Sequence, residues 1–325
     1  MPGIVRVIDS AQAVPWVASV VGREMLSPSV VQLTLEVQHE DGEELGAAEA
    51  AGRPFRFRCG QWVDFYVPGM DDVGGFSLCS TPAQLPRLQL AVRRSRREPA
   101  AWVHGSAKVG DTVGVRVGGS FWRSTAADPH AATRGVVLVG GGIGVSPLLG
   151  MMREWVAWRC GPGGRDASSL LALVHTAAAA EDLVWRDEVA AMQRGAPPGS
   201  VGVFYAATAG ADRDEGAARR ADEAVAAARG VERGAWTLEG GPLHAGTLHA
   251  ARPGRAVMEL ARDFVEDPGS GGGEGSLPQD EAELYGATAD PLWYLCGPPA
   301  LLDDTSATLG GHVGVHPGRV RFERW

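Results

Sequence analysis

Residues 29–37, Ser-Val-Val-Gln-Leu-Thr-Leu-Glu-Val, alternate apolar with polar side chains and are rich in β-branched types. That period of two is the mark of a half-buried strand. Similar stretches recur at 62–67, 88–93 and 112–117, each bounded by Gly, Pro or Asp. Many short strands joined by turns predict a sandwich or a small barrel. The Glu/Ala/Gly-rich stretch 39–54 reads as a long loop inserted between two of them.

From Gly135 the pattern changes. Val136-Val137-Leu138-Val139 is a continuous apolar run, as expected of a strand covered on both faces. A glycine loop and a helix from 147 to about 160 follow. Strand 170–174, helix 181–192, strand 201–205 and strand 293–296 come next. Strand and helix in alternation predict a mostly parallel sheet with right-handed crossovers. Two stretches interrupt the rhythm: 212–234, Ala/Arg/Glu-rich, reads as a surface helix, and 267–290, with Gly271-Gly272-Gly273, as a mobile loop.

The chain has 325 residues, enough for two domains with separate cores. Apolar residues make up 45% and charged residues 21%, the profile of a soluble globular protein. The formal charge is −9, and the densest basic run, Arg93, Arg94, Arg96 and Arg97, is flanked by acidic or apolar residues. Nucleic acid is therefore not an expected partner, because affinity for it comes mainly from neutralising phosphates. Cys59, Cys79, Cys160 and Cys296 are far apart with no C-x-x-C pair, which argues against zinc, an iron–sulfur cluster and a disulfide framework, and for a reducing compartment.

The first residues show neither a secretory nor a transit pattern. The uncharged stretch 135–152 is long enough to cross a bilayer but holds six glycines and a proline. A buried strand, a tight loop and a helix start fit it better than a transmembrane segment. His244 with His249, and His312 with His316, offer no third convergent ligand, so no metal is expected. Glu181, Asp182, Asp187 and Glu188 read as the solvated face of a helix. Ser77 has no His or Asp arranged with it as a triad.

Four segments carry chemistry. In Val136–Pro147, VVLVGGGIGVSP, a buried strand runs into glycines that let a ligand approach the backbone. Pro147 suits the first position of the next helix, whose N-terminus would face a pyrophosphate with free N–H groups and the positive dipole end. The spacing is not G-x-G-x-x-G, since the sixth residue from Gly140 is Val145 and from Gly142 is Pro147. The second segment, Leu295-Cys296-Gly297-Pro298-Pro299, places a thiol at the carboxyl edge of the sheet, where open α/β sheets bind ligands. A buried structural cysteine reads equally well there. In the third, Gly75-Phe76-Ser77-Leu78-Cys79-Ser80-Thr81-Pro82, an aromatic ring and hydroxyls could meet a flat heterocycle. The fourth is the ending, Phe322-Glu323-Arg324-Trp325.

In this order and spacing the four segments resemble the ferredoxin–NADP reductase superfamily, over roughly residues 14–325. Within it the likeness is to the eukaryotic oxidoreductase NAD-binding domain-containing proteins. It rests on GGFSLCSTP, PAAWVH at 99–104, VRVGGSF at 115–121, GGGIGVSP, CGPP and FERW. The resemblance implies two domains: an antiparallel, FAD-binding β-barrel over 1–132 and an α/β parallel-sheet, NAD(P)-binding domain over 133–325.

It also implies roles. The superfamily's barrel motif is Arg-x-Tyr-Ser/Thr, here Gly74, Phe76 and Ser77, with the aromatic against the flavin and the hydroxyl near its reactive nitrogen. Leu78, Cys79 and Trp102 continue the flavin side, with Ala100-Ala101-Trp102 standing where a phosphate-facing helix usually starts with Gly and Ser. Arg93 matches a basic position that contacts the same cofactor. Gly141, Gly142, Ile143, Gly144, Ser146 and Pro147, with Gly297 and Pro298, match the nicotinamide-dinucleotide loops. Cys296, Glu323 and the terminal Trp325 match residues near the nicotinamide and the flavin ring.

The implied activity is hydride transfer from NAD(P)H to bound FAD, with FMN as the alternative flavin, then electron transfer to a separate acceptor, protein or small molecule. NAD(H) is favoured over NADP(H), because Ala206-Ala207-Thr208-Ala209-Gly210 has no cation before Arg213. Gly74 in place of arginine favours the alternative of a non-catalytic or regulatory member with weakened flavin binding. A subunit passing electrons within a larger complex is the other alternative. The expected location is cytoplasmic or, by the resemblance, mitochondrial.

Overall fold

The computed structural model describes residues 15–38, 55–122, 135–162, 169–207, 237–238, 241–242, 291–313 and 315–324. The expected loops at 39–54 and 267–290, the helix at 212–234 and Trp325 lie outside them.

Six antiparallel strands form the first half: β1 (Trp16–Ser27), β2 (Val30–Val37), β3 (Trp62–Tyr66), β4 (Gly74–Ser77), β5 (Arg87–Arg93) and β6 (Thr112–Gly118). Their order is β4-β3-β6-β1-β2-β5. Leu78, just past β4, bridges Leu90 of β5, so the two ends of the sheet meet and a barrel closes. The core holds Val31, Leu33, Leu35, Phe65, Leu88, Leu90 and Val115, none more than 1% exposed. Helix α1 (Glu98–Gly105) lies against it. Arg23 of β1 donates to the carbonyls of Val103 and His104 at 3.2 and 2.8 Å, capping the C-terminal end of α1.

Strand β1 escapes the pattern reading for a physical reason. Its pairing with β2 shifts between Val20 and Gly22 and again between Met25 and Ser27. Each shift inserts a residue and turns the following side chains to the other face, so no long alternation survives in WVASVVGREMLS.

The second half is a five-stranded parallel sheet. It comprises β7 (Gly135–Gly141), β8 (Leu170–Ala177), β9 (Val201–Ala207), β12 (Leu292–Gly297) and β13 (Val320–Arg324), in the order β13-β12-β7-β8-β9. Between β9 and β12 a two-residue pair, β10 (Thr237–Leu238) and β11 (Gly241–Pro242), forms its own antiparallel ladder. Helices α2 (Val145–Cys160), α3 (Arg186–Gly195) and α4 (Pro299–Thr308) complete the unit. Every residue of β7 and β12 is buried, as the apolar runs require. No helix of the described residues is long and apolar enough to cross a membrane.

Two boundaries differ from expectation. Helix α2 starts two residues early, so Pro147 is its third residue rather than its first. The position is tolerated because no N–H of the first turn has an intrahelical acceptor. The helix expected at 181–192 is split: a short 3₁₀ turn (Ala180–Asp182) precedes α3, and Trp185 between them takes a left-handed φ of 60°.

One hydrophobic core spans both halves. Val30, Cys59, Cys79, Ala91 and Phe121 of the barrel side join Leu148, Leu149, Met151, Met152 and Trp155 of α2 and Tyr294 of β12. The rings of Phe121 and Tyr294 meet edge-on at 5.7 Å. Gly150 lets α2 approach closely, since a Cβ there would sit 3.1 Å from the Ser80 carbonyl oxygen. Arg153 of α2 donates to both oxygens of Glu188 on α3, at 2.6 and 2.9 Å. The same guanidinium reaches the Cys79 carbonyl at 2.7 Å and the Gln89 side-chain oxygen at 2.8 Å on the barrel. Ser27 and Ser29 donate to Asp182 at 2.7 and 2.6 Å, and the Trp185 indole donates to Gln32. Asp182 is thus an interface residue, which corrects the expectation of a solvated face at that position, while Glu188 is tied to Arg153 within the second half and Glu181 and Asp187 are exposed. Burial pushes the Asp182 carboxyl up, but the two serine bonds and the Arg93 charge outweigh it and hold the group below the usual range.

Candidate active site

Strand order fixes where a ligand can go. Counting the parallel strands in chain order gives 3-2-1-4-5 across the sheet, with the reversal between β7 and β12. Crossovers leave that point in opposite directions, so a crevice opens beyond the carboxyl ends of the two strands. Gly140-Gly141-Gly142 ends one and Cys296-Gly297-Pro298 ends the other, with Cys296 registered against Gly140.

The two glycine segments face each other at close range. A Cβ on Gly141 would lie 2.5 Å from Leu301 Cδ2 and 2.8 Å from Pro298 Cδ. One on Gly297 would lie 3.1 Å from the Gly141 nitrogen. Gly142 has φ +54°, which L side chains rarely adopt. A single 3₁₀ turn (Gly142–Gly144) leads into α2, and no side chain caps the N-terminus of either helix. Orphan N–H groups with the positive dipole end suit an anion. The Ser146 hydroxyl is buried there with no hydrogen-bond partner among the described residues.

Arg93, from the end of β5, comes to the same place across the interface. Its guanidinium lies 3.8 Å from where a Cβ of Gly142 would be. A shallow groove there is lined by Ser29, Val30, Arg93, Gly142, Ile143 and Asp182. Arg93, which the resemblance assigns to the flavin, thus stands beside the glycine loop that follows β7. A glycine cradle, an uncapped helix start, an unpartnered hydroxyl and a guanidinium together fit a dinucleotide's phosphates.

At the sheet edge Cys296 pairs in register with Glu323 of β13. Burial first, then the Glu323 charge, pushes the Cys296 thiol up. Both effects favour the S–H form over the thiolate. Trp325 lies outside the described residues.

On the barrel, Phe65 meets Phe76 at 5.4 Å and Trp102 at 6.0 Å between ring centroids. Phe76, Ser77 and Trp102 are half-buried, so a planar group can still reach them. Gly74 lies under the Phe76 ring. A Cβ there would be 2.6 Å from Phe76 Cε2 and 3.1 Å from Pro99 Cβ, so the ring fills the space in which an arginine would begin. Glu98 occupies the first turn of α1, adding a negative charge where a phosphate would be received. The flavin side thus fits a ring better than a diphosphate. Leu78 and Cys79 are fully buried, and their N–H groups donate to Gln61 and Gln89 carbonyls. The structure gives these two a packing role and does not bring their side chains to the cleft.

His175 and Thr176, near the end of β8, contact the glycine segment and were not singled out from the sequence. The signal is faint: two polar residues closing an otherwise apolar run, LLALVHTA. His175 is 1% exposed and bonds the Gly142 carbonyl through Nε2 at 3.3 Å. A carbonyl only accepts, so that nitrogen carries the proton. Burial lowers the His175 pKa from 6.5 to about 4. The unfolded chain then binds more protons than the folded one between pH 6.5 and about 4. Stability should be full above pH 6.5 and fall by about 3 kcal/mol as pH drops through that window. Chemical denaturation of the wild type and of His175→Phe at pH 7 and pH 5 checks this: the variant should lose most of the difference between the two.

This doubly wound domain, docked on a closed antiparallel barrel with a glycine cradle at its switch point, defines a two-domain nucleotide-binding oxidoreductase architecture. The chain belongs to the ferredoxin–NADP reductase superfamily. The sequence profile of the oxidoreductase NAD-binding domain matches residues 138–237. Oxidoreductase NAD-binding domain-containing protein 1 of Bos taurus is 27% identical over 97% of this chain and 82% of its own length. Ferredoxin–NADP reductase B of Sorangium cellulosum (strain So ce56) is 32% identical over 57% of this chain and 67% of its own. Among solved structures, a ferredoxin NADP+ reductase from Neisseria gonorrhoeae with bound FAD and NADP superposes with a TM-score of 0.58 at 14% identity. That match covers 96% of this chain and 99% of the other.

Proposed function

We propose that this chain is a flavin-dependent oxidoreductase that takes hydride from NADH onto bound FAD and passes electrons to a separate acceptor. The observation that carries the reading is the Gly141–Gly297 cradle, with the Ser146 hydroxyl and the Arg93 guanidinium beside the same uncapped helix start. Bound flavin supplies hydride acceptance and release of electrons singly or in pairs. The protein's part is position and electrostatics. The loop N–H groups and Ser146 hold one phosphate end, and Arg93 offers its counter-charge from the barrel. Phe76 offers a ring face and Ser77 a hydroxyl at the flavin edge, while Cys296 and Glu323 stand at the nicotinamide end. In this reading Trp325 covers the flavin ring until the nicotinamide displaces it. NADH is the favoured reductant because residues 206–212 contain no cation to meet a 2′-phosphate.

A second reading has one specific observation behind it. The ring of Phe76 over Gly74 leaves no start for the arginine that pairs with FAD phosphates, which favours a member with weak flavin binding and no turnover. Visible absorbance of the purified protein separates the two. Our reading expects a yellow protein, or one turned yellow by added FAD, that NADH bleaches under anaerobic conditions faster than NADPH does. A colourless protein that takes up neither FAD nor FMN sinks it.

A further inference from the structure

We propose that His175 is a positioning residue for nucleotide binding, acting through the Gly142 carbonyl to aim the loop's amides at the phosphates; this rests on the NADH-binding reading above.

The case begins with the peptide plane. A trans peptide points its carbonyl and its N–H in opposite directions. Holding the Gly142 oxygen inward therefore turns the Ile143 N–H the other way, toward the groove that Gly142, Ile143 and Arg93 line. Two donors hold that oxygen: the His175 ring nitrogen at 3.3 Å and the Val145 amide of the 3₁₀ turn. The turn alone cannot lock the orientation, because Gly142 sits at φ +54° and has no side chain to resist rotation. An imidazole rooted in the next strand can. His175 lies in register with Gly140 across the β7–β8 ladder, and its ring is buried and tilted against Tyr205 at 6.2 Å. Thr176 repeats the device more weakly, its hydroxyl lying 3.5 Å from the Gly140 carbonyl. The last two polar residues of β8 thus both reach carbonyls of the glycine segment.

Burial keeps the ring neutral above about pH 4. It thus serves as a one-proton donor of fixed tautomer and adds no charge under the loop. The groups facing it are the Gly142 carbonyl, the Tyr205 ring and, at longer range, Arg186.

The test uses the full chain and NADH as probe, read by quenching of tryptophan emission on binding, so that no turnover is needed. His175→Gln keeps an N–H at similar reach; His175→Phe keeps a ring and removes the donor. We expect His175→Phe to weaken NADH binding about tenfold and His175→Gln to stay within about threefold of wild type, with visible absorbance unchanged in both. His175→Leu replaces the phenylalanine variant should that one fail to fold. Wild-type affinity in the donor-less variant, or equal weakening in the glutamine one, overturns the positioning role while leaving the NADH reading intact. A wild type that binds no NADH overturns both.

Discussion

Gly141→Ala is expected to weaken NADH binding by at least a hundredfold and to destabilise the fold by about 1–3 kcal/mol, the usual cost of overpacking. The constraint is space and not backbone conformation, because Gly141 has an ordinary extended φ of −105°. One added carbon would press on Leu301 Cδ2 at 2.5 Å and Pro298 Cδ at 2.8 Å. Pro298 precedes α4 and Leu301 lies in its first turn, so relief requires pushing that helix start, and with it Gly297 and Cys296, away from the crevice. The stability term stays modest because the shift is local, whereas binding suffers because both walls of the cradle move. Gly195→Ala is the matched control: a Cβ there meets nothing within 4 Å, and both NADH affinity and melting should stay near wild type. An alanine at 141 that binds NADH normally would show that the crevice is not where the nucleotide lies.

Arg153→Ala should be the most destabilising single change at the interface, by about 1–3 kcal/mol, the scale for leaving buried hydrogen-bonding groups without their partner. Its side chain is only 14% exposed and makes four bonds, two to Glu188 and two to the barrel. Removal leaves the Glu188 carboxylate, the Cys79 carbonyl and the Gln89 oxygen without that donor, which costs more than the bonds themselves contributed. The halves should then unfold at separate temperatures in calorimetry where the wild type gives one transition. Lysine should not restore the single transition, because an ammonium cannot present the planar fork. A single transition at wild-type temperature in Arg153→Ala would mean that the apolar core under α2 holds the halves together unaided.

Much of this architecture was legible in local pattern. The apolar runs of β7 and β12, the alternation in the second half of β2 and the glycines after Val139 each report a constraint acting within a few residues: burial on both faces, burial chiefly on one, or close approach of backbone. The resemblance to the superfamily was legible for the same reason, since its motifs are short and their order survives in the chain. β1 was not legible, because its bulges break the period that would have announced it. The split at Trp185 was hidden as well, because an amphipathic run says nothing of a left-handed turn placed to bring an indole to Gln32.

What the chain's own pattern determines is thus where most of the regular strands and helices lie, and which glycines end them, since those follow from periods and propensities read along one dimension. Tertiary structure alone decides that Arg93 stands beside Gly142, that Asp182 and Arg153 join the halves, that Phe76 covers Gly74, and that His175 lies under the glycine loop. Each of these joins side chains between strands or across the interface, some as far apart as 155 residues in sequence. No local period encodes such a pairing, because it is chosen by the packing of the whole.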